Sequence, residues 1–262
     1  MKEITSTQNP LIKGVFSLHQ RKNRNESGSF LIEGYKGVFE ANKSGLEIKY
    51  IFIGKNFDRD IKNFNAEEIF IVSEPVMKKI STTESPPEII AVAKQLEFSL
   101  NDIFNSENPL ILLLENIKDP GNLGTIIRTA AACGVSGIIL TDESVDIYNP
   151  KTVRSSAANL WKVPAITMSN KSGIKSKLNS IKKCNFIATV VYKDAGLYYD
   201  VDFREPAVIM FGSEAEGLSD VLIKQADILA TIPMSKKVES INLSISVGVI
   251  LYESVRQRKF HN

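Results

Sequence analysis

Hydrophobic and polar positions alternate along this chain in two blocks, and each block predicts helices and strands in turn. In the first block, NPLIKGVFSLHQRK has the spacing of an amphipathic helix. Four short β-type runs follow (SFLIEG, IKYIFIG, EIFIVS and EIIAVAK), with helical stretches near residues 35–43 and 74–81. We therefore expect a small α/β domain over residues 1–97, followed by a polar linker over residues 98–108.

The second block, residues 109–262, alternates more plainly between apolar runs and helical periods. Strands are predicted at 109–115, 137–141, 163–167, 186–191, 207–211 and 228–232, and helices near 122–133, 150–159, 172–182, 218–225 and 241–258. Continuous apolar strands between helices are typical of a mainly parallel sheet covered on both faces. The fold class is therefore α/β, with the functional loops expected at the carboxyl ends of strands.

Composition excludes several classes of protein. No apolar run approaches the roughly 18 residues of a membrane span, and MKEITSTQNPLIKG lacks the apolar segment of a secretory signal. The two cysteines are too few for a disulfide framework or a zinc site. His19 and His261, the only histidines, stand outside any triad or metal-ligand pattern. We expect a cytoplasmic protein without a metal, whose chemistry uses groups other than histidine.

The stretch DPGNLGTIIRTAAACG follows the apolar run PLILLLEN and carries Arg128 on the new helix. Gly121 and Gly124 allow a tight turn, and the start of a helix offers free N–H groups. The stretch is neither GxGxxG nor a P-loop, which argues against a dehydrogenase or another nucleotide-cofactor enzyme. Spacing alone leaves two interpretations of Arg128 open: a catalytic guanidinium, or an exposed and solvated one.

Two later loops carry polar groups after strands. In VIMFGSEAEGLS, Gly212 is interpreted as letting a ligand lie against the backbone, with Glu214 orienting a catalytic group; the alternative is a turn with surface carboxylates. In IPMSKKVESINLSISVGVILYE, Ser240 or Asn242 is expected to cap a helix that is apolar on nearly all sides. Such a helix belongs in a core or at an interface.

Together, and in this order, these segments resemble the SpoU/TrmH branch of the SPOUT RNA methyltransferases. DPGNLGTIIRTA is similar to the first motif of that family, FGSEAEGLS to the second and IPMSKKVESINLSISVGVILYE to the third. NPKTVRSSAANLWKVP resembles the segment between them, although Ala158 stands where glycine is usual. FLIEGYKGVFEA is similar to the substrate-binding domain, of a ribosomal-protein-like fold, that is often joined to these enzymes.

The resemblance implies a trefoil-knotted domain that binds S-adenosylmethionine, dimerises, and methylates the 2′-hydroxyl of a ribose in RNA. Carried over by position, the catalytic set is Arg128, Asn122, Glu214, Ser240 and Asn242. The cofactor contacts are carried over to Gly212, Ile232, Ile241, Leu243 and Thr189. Ile241 replaces the usual leucine, a change that a backbone contact should tolerate.

The RNA partner is expected to dock on the amino-terminal domain. Residues 1–30 carry five Lys or Arg against two Glu, whereas the whole chain has a net charge of only +2. Phosphate contacts are predicted for Lys13, Arg21, Lys22 and Arg24, although a compact basic run is also typical of a solvated helix end. The favoured target is a guanosine of large-subunit rRNA. A tRNA ribose, an rRNA adenosine whose methylation confers antibiotic resistance, and a non-catalytic RNA-binding role remain alternatives.

Overall fold

Two separate sheets organise the chain in the computed structural model, which describes residues 1–141, 143–192 and 194–259. His261 lies outside the described residues. The first part of the chain contains, in order, β1 (Lys2–Ile4), α1 (Pro10–Ser17), α2 (Arg21–Ser27), β2 (Ser29–Glu33), α3 (Tyr35–Lys43), β3 (Ile48–Gly54), β4 (Ala66–Val72), α4 (Glu74–Ile80) and β5 (Ile89–Lys94).

The remaining elements are α5 (Leu100–Ile103), β6 (Leu110–Leu114), α6 (Pro120–Cys133), β7 (Gly137–Thr141), α7 (Pro150–Ser155), β8 (Ala165–Met168), α8 (Ile174–Asn179), β9 (Asn185–Thr189), β10 (Gly196–Leu197), β11 (Ala207–Phe211), α9 (Asp220–Ile223), β12 (Ile228–Thr231) and α10 (Leu243–Lys259). Three short 3₁₀ helices cover Leu160–Lys162, Lys171–Gly173 and Tyr198–Asp200. In the described part of the chain, no helix is both long enough and apolar enough to cross a membrane.

The first unit comprises residues 1–97 together with residues 146–161. Its sheet has the order β1-β4-β3-β5-β2, with β5 antiparallel to both of its neighbours. The core packs the apolar faces of α1 and α4 on the sheet through Ile12, Val15, Val76 and Phe52. The segment that carries α7 leaves the second sheet after β7 and packs in the first unit, which periodicity along the chain did not indicate.

The second unit comprises residues 98–145 and 162–262. Its seven strands have the order β10-β12-β9-β11-β6-β7-β8, and every pair is parallel. Strands β6, β7 and β11 are buried along their whole length, which explains why they read as continuous apolar runs. The prediction of an α/β fold with a mainly parallel sheet is confirmed.

Ala158 has a φ of 66°, in the left-handed region that favours glycine. Its neighbour Ala157 also has a positive φ, of 49°. This left-handed backbone explains why the family that the chain resembles usually has glycine at the position of Ala158. Here an alanine, 5% exposed, adopts the same conformation.

Candidate active site

A cavity of about 610 Å³ opens at the carboxyl ends of three adjacent strands, β11, β9 and β12. This is where parallel sheets place ligand sites. The loops over residues 212–218 and 232–242 form much of its wall. All five residues predicted to contact the cofactor line it: Gly212, Ile232, Ile241, Leu243 and Thr189.

The fold of the chain itself requires glycine at position 212. A Cβ atom at this position would lie 1.9 Å from the carbonyl carbon of Gly217 and 2.1 Å from the backbone nitrogen of Leu218. The loop is closed by a hydrogen bond from the Gly217 N–H to the Ser213 carbonyl, at 3.0 Å. The missing side chain lets the loop fold back on itself, a requirement that the sequence interpretation of Gly212 did not include, while Gly212 still lines the cavity.

The far end of this loop is held by a buried carboxylate that the sequence interpretation missed. Glu115, directly after β6, accepts bonds of 2.7 Å from both the N–H and the hydroxyl of Ser219. Lys171 bridges Glu115 and the more exposed Glu143, at 3.1 and 3.0 Å. Burial alone would lower the pKa of Lys171, but its bonds to the two carboxylates outweigh burial and raise that pKa. The sequence contains one indication of this role for Glu115, namely an acidic residue directly after a buried strand.

Residues from all three motif-like loops meet in one hydrogen-bonded chain. The Asn242 side-chain amide donates to Asn122 Oδ1 at 3.1 Å, and Asn122 Nδ2 donates to Glu214 Oε1 at 2.7 Å. The backbone of Asn122 is fixed in turn, because its N–H donates to Asp119 Oδ1 at 2.7 Å. The structure therefore joins three of the five residues predicted to be catalytic.

Asn242, and not Ser240, caps the last helix. Its Oδ1 accepts bonds from the Ser244 N–H at 2.9 Å and from the Ile245 N–H at 3.4 Å. The same side chain therefore begins α10 and contacts Asn122, which fixes its orientation. Ser240 lies in the preceding loop and lines the cavity.

Arg128 lies on α6, the helix whose first turn carries Asn122, and its side chain is exposed. Within the described ranges it forms no hydrogen bond or ion pair. It is not among the residues lining the cavity. Its guanidinium is therefore available to a partner molecule, which agrees with both interpretations left open by the sequence.

The predicted RNA contacts divide into two groups. Lys13, Arg21 and Lys22 are exposed on α1 and α2. The prediction for Arg24 is wrong, because its side chain is 2% exposed and donates to Asp146 Oδ2 from both Nε, at 2.9 Å, and Nη2, at 2.6 Å. Arg24 also donates to the carbonyls of Leu18 and His19, so it is a structural residue of the first unit.

Both parts of the chain match models of known protein families. Residues 109–252 match the SpoU rRNA Methylase family, and residues 9–91 match the MRM3-like substrate binding domain. The match over residues 109–252 defines an RNA methyltransferase, and solved structures similar to this chain contain the cofactor S-adenosylmethionine. The chain belongs to the SpoU rRNA methylase family, which confirms the predicted family, enzyme class and cofactor.

Three of the similar proteins match this chain over nearly their whole length. An uncharacterised tRNA/rRNA methyltransferase of Synechocystis is 36% identical over 97% of this chain and 94% of its own. The 23S rRNA (guanosine(2553)-2'-O)-methyltransferase RlmP of Bacillus subtilis is 28% identical over 96% and 98%. A crystal structure of an AdoMet-bound rRNA methyltransferase from Sinorhizobium meliloti superposes with a TM-score of 0.87 at 32% identity, covering 97% of both chains.

Proposed function

We propose that this enzyme transfers a methyl group from S-adenosylmethionine to the 2′-hydroxyl of a ribose in large-subunit rRNA, with guanosine as the favoured nucleoside. The observation that carries the proposal is the Asn242–Asn122–Glu214 chain, which brings three loops together. The relatives RlmP and RlmB are named as 23S rRNA guanosine 2'-O-methyltransferases, whereas a Streptomyces viridochromogenes relative is named for a uridine. The two free, buried cysteines agree with the proposed cytoplasmic location.

The cavity fits the cofactor in size and in lining. Its volume of about 610 Å³ lies within the range of small-molecule sites, roughly 300–1,000 Å³. The backbones of Gly212, Ile232 and Ile241 would hold S-adenosylmethionine, with Leu243 and Thr189 beside them. Thr189 is oriented by donating its hydroxyl proton to the Met210 carbonyl at 2.8 Å. When bound, the cofactor supplies an electrophilic sulfonium methyl.

The residues of this chain have the task of orienting the ribose and stabilising charge. Arg128, exposed on α6, would contact the ribose 2′-oxygen or an adjoining phosphate and stabilise the alkoxide as its proton leaves. Because a guanidinium carries five N–H donors and no acceptor, electrostatic stabilisation is the main role of Arg128, with proton relay through the phosphate as a further one. Asn122, Glu214, Ser240 and Asn242 would hold the ribose and the loops around it.

We further propose a knotted second unit that dimerises. Along α10, Ile245 and Tyr252 are 57% and 60% exposed, an arrangement that suits a partner surface. The trefoil knot is supported by the family to which the chain belongs. Ile245→Asp should convert a dimer into a monomer in light scattering after gel filtration, and an unchanged mass would contradict this interface.

RNA docking on the first unit is assigned to Lys13, Arg21 and Lys22. Reversing all three charges should weaken RNA binding and flatten its dependence on salt, because each phosphate contact releases counterions.

The function as a whole is tested by mapping 2′-O-methylated positions in rRNA and tRNA from cells with and without the gene. Loss of one guanosine methylation in large-subunit rRNA is expected. Loss at a tRNA or an rRNA adenosine would redirect the target, and an unchanged pattern would contradict the function.

A further inference from the structure

A second cavity, also of about 610 Å³, lies within the first unit and has no part in the cofactor site. It runs between the end of α1, the end of α4, the turn over residues 81–84 and the start of α7. We call it the Phe16 groove. The residues that matter in it are an aromatic side chain, a histidine and four cations: Phe16, His19, Lys78, Lys79, Lys151 and Arg154.

An exposed aromatic ring lies in this groove. Phe16 is 46% exposed, and its ring is 4.8 Å from that of His19 between centroids. The Lys79 ammonium lies 5.6 Å from the centre of the Phe16 ring. His19 is itself fixed through a 3.0 Å contact between its Nε2 and the Ile80 carbonyl. A large ring left half in water beside cations is a poor core residue and a good stacking platform.

The side chains that line the groove carry more positive than negative charge. Among the described residues that line it, four are Lys or Arg and only Glu84 carries a carboxylate. Lys78 and Lys151 are exposed, so their ammonium groups can reach a phosphate. Alternating cations and an aromatic face are the features by which proteins bind the backbone and the bases of a single strand.

The groove is built in advance by one buried carboxylate. Glu33, whose side chain is 3% exposed, accepts bonds of 2.8 Å from the Thr82 N–H and from the Ser81 hydroxyl. The same carboxylate pairs with Arg154 at 2.5 Å, and both Arg154 and Glu33 also contact the Thr82 hydroxyl. The turn on one wall and α7 on the other are thereby tied to β2. A preformed site loses little entropy on binding.

We propose that the Phe16 groove binds an unpaired segment of the substrate RNA, with one base stacked on Phe16 and phosphates at Lys78, Lys151 and Arg154. Stacking on a side chain requires a base that is free of a helix, so loops and bulges fit and duplexes do not. The proposal rests on the proposed function, because it takes RNA to be the substrate. It adds where, and by which chemistry, the first unit binds that RNA.

The test uses the full-length protein and a labelled, mixed-sequence RNA oligonucleotide of about 12 nucleotides, with binding followed by fluorescence anisotropy over a salt series. A duplex of the same sequence is the second probe. Lys78→Glu/Lys151→Glu should weaken binding of the single strand about tenfold and lower the salt slope by about 1.4, which corresponds to two lost phosphate contacts. Lys43→Glu/Lys62→Glu is the matched control, since both lysines are exposed in the same unit and lie outside the groove.

Phe16→Leu separates stacking from charge. It should weaken single-strand binding roughly fivefold or more and leave the salt slope unchanged, whereas Phe16→Trp should bind at least as well as the native protein. The melting temperature of each variant shows that the unit is folded. Binding equal to wild type in both Phe16→Leu and the lysine pair overturns the proposal, and so does equal binding of duplex and single strand.

Failure of this proposal is distinguishable from failure of the proposed function. If wild-type protein methylates RNA but the groove variants bind the oligonucleotide like wild type, the groove proposal is wrong and the proposed function stands. If no RNA accepts a methyl group although the groove variants lose the oligonucleotide, the function is wrong and the groove stands. A protein captured through this face in place of RNA would likewise contradict the groove proposal.

Discussion

The side-chain amide of Asn122 donates a 2.7 Å hydrogen bond to Glu214, a residue 92 positions away along the chain. A second bond, from Asn242 to the other end of the same amide, brings in a third loop. Because the Asn122 amide both donates and accepts, it can satisfy its two partners in only one orientation. The amide therefore fixes the relative positions of the loops beside the proposed cofactor cavity.

Removing this amide should damage catalysis and spare cofactor binding. Asn122 does not line the cavity, so Asn122→Ala should bind S-adenosylmethionine with nearly native affinity in calorimetry. The loops that it joins would shift, and kcat should fall about 10²-fold. Asn101→Ala, an exposed asparagine in the same unit, is the control and should behave as wild type. A native kcat for Asn122→Ala would show that the network has no catalytic role.

Gly212→Ala should abolish cofactor binding and destabilise the second unit. The added methyl group would meet backbone atoms of residues 217 and 218 at about 2 Å, and backbone cannot move aside as a flexible side chain can. A loss of about 3 kcal/mol in the free energy of unfolding is expected from such overpacking. Gly14→Ala, in the open helix α1 with nothing within 4 Å of the new methyl, should instead stabilise by about 1 kcal/mol. Urea unfolding and calorimetry measure both effects.

Glu33 should make the free energy of unfolding of the first unit depend on pH in the acidic range. Burial alone would raise the pKa of Glu33, but bonds from Thr82 and Ser81 and the charge of Arg154 outweigh it and hold the pKa below its usual value of 4.5. A carboxyl whose pKa is lowered by folding stabilises above its unfolded pKa, and that contribution is lost as pH falls through the folded pKa.

Glu33→Gln removes the titrating group and tests this dependence. The variant should be less stable than wild type at neutral pH, and the gap between the two urea midpoints should close as pH falls below about 4.3. The other carboxyls titrate in both proteins, so their contributions cancel in the difference between the two urea midpoints at each pH. A gap that stays constant down to about pH 3 would contradict the assignment.

Much of the fold was predictable because buried strands consist of runs of apolar residues, which are visible in the sequence. Strands β6 and β11 are apolar at every position, β7 is apolar at every position but Thr141, and the second sheet is parallel as those runs indicate. The five cavity-lining positions come from the resemblance to the family, whereas the pattern of the sequence alone predicts only that functional loops follow parallel strands at one edge of the sheet.

What escaped prediction depends on contacts distant in sequence. Arg24 was read as part of a basic surface, but its partner Asp146 lies 122 residues away, in a segment that packs with the first unit. Local charge patterns carry no sign of such a pair. Glu115 was overlooked for the same reason, because its partner Ser219 becomes its neighbour only once β6 and β11 pair.

Ala158 should accept glycine without loss of stability. Its left-handed φ of 66° costs an alanine about 1 kcal/mol, whereas deleting its buried methyl group costs about 0.8 kcal/mol. Ala158→Gly should therefore change the free energy of unfolding by less than about 0.5 kcal/mol. Ala130→Gly, at a buried position inside α6, should cost about 1 kcal/mol or more. Equal losses in the two variants would contradict the strain at position 158.

The most direct test of the account is the site of methyl transfer and its dependence on Arg128. Rate measurements should use wild-type protein, large-subunit rRNA and S-adenosylmethionine labelled in the methyl group, followed by alkaline hydrolysis of the RNA. A ribose methylated at its 2′-oxygen resists cleavage, so the label should remain in alkali-resistant dinucleotides. Arg128→Ala should bind cofactor and transfer no label, and so should Arg128→Lys, because lysine lacks the planar fork of the guanidinium. Label released in single nucleotides, or native rates for Arg128→Ala, would contradict ribose methylation directed by Arg128.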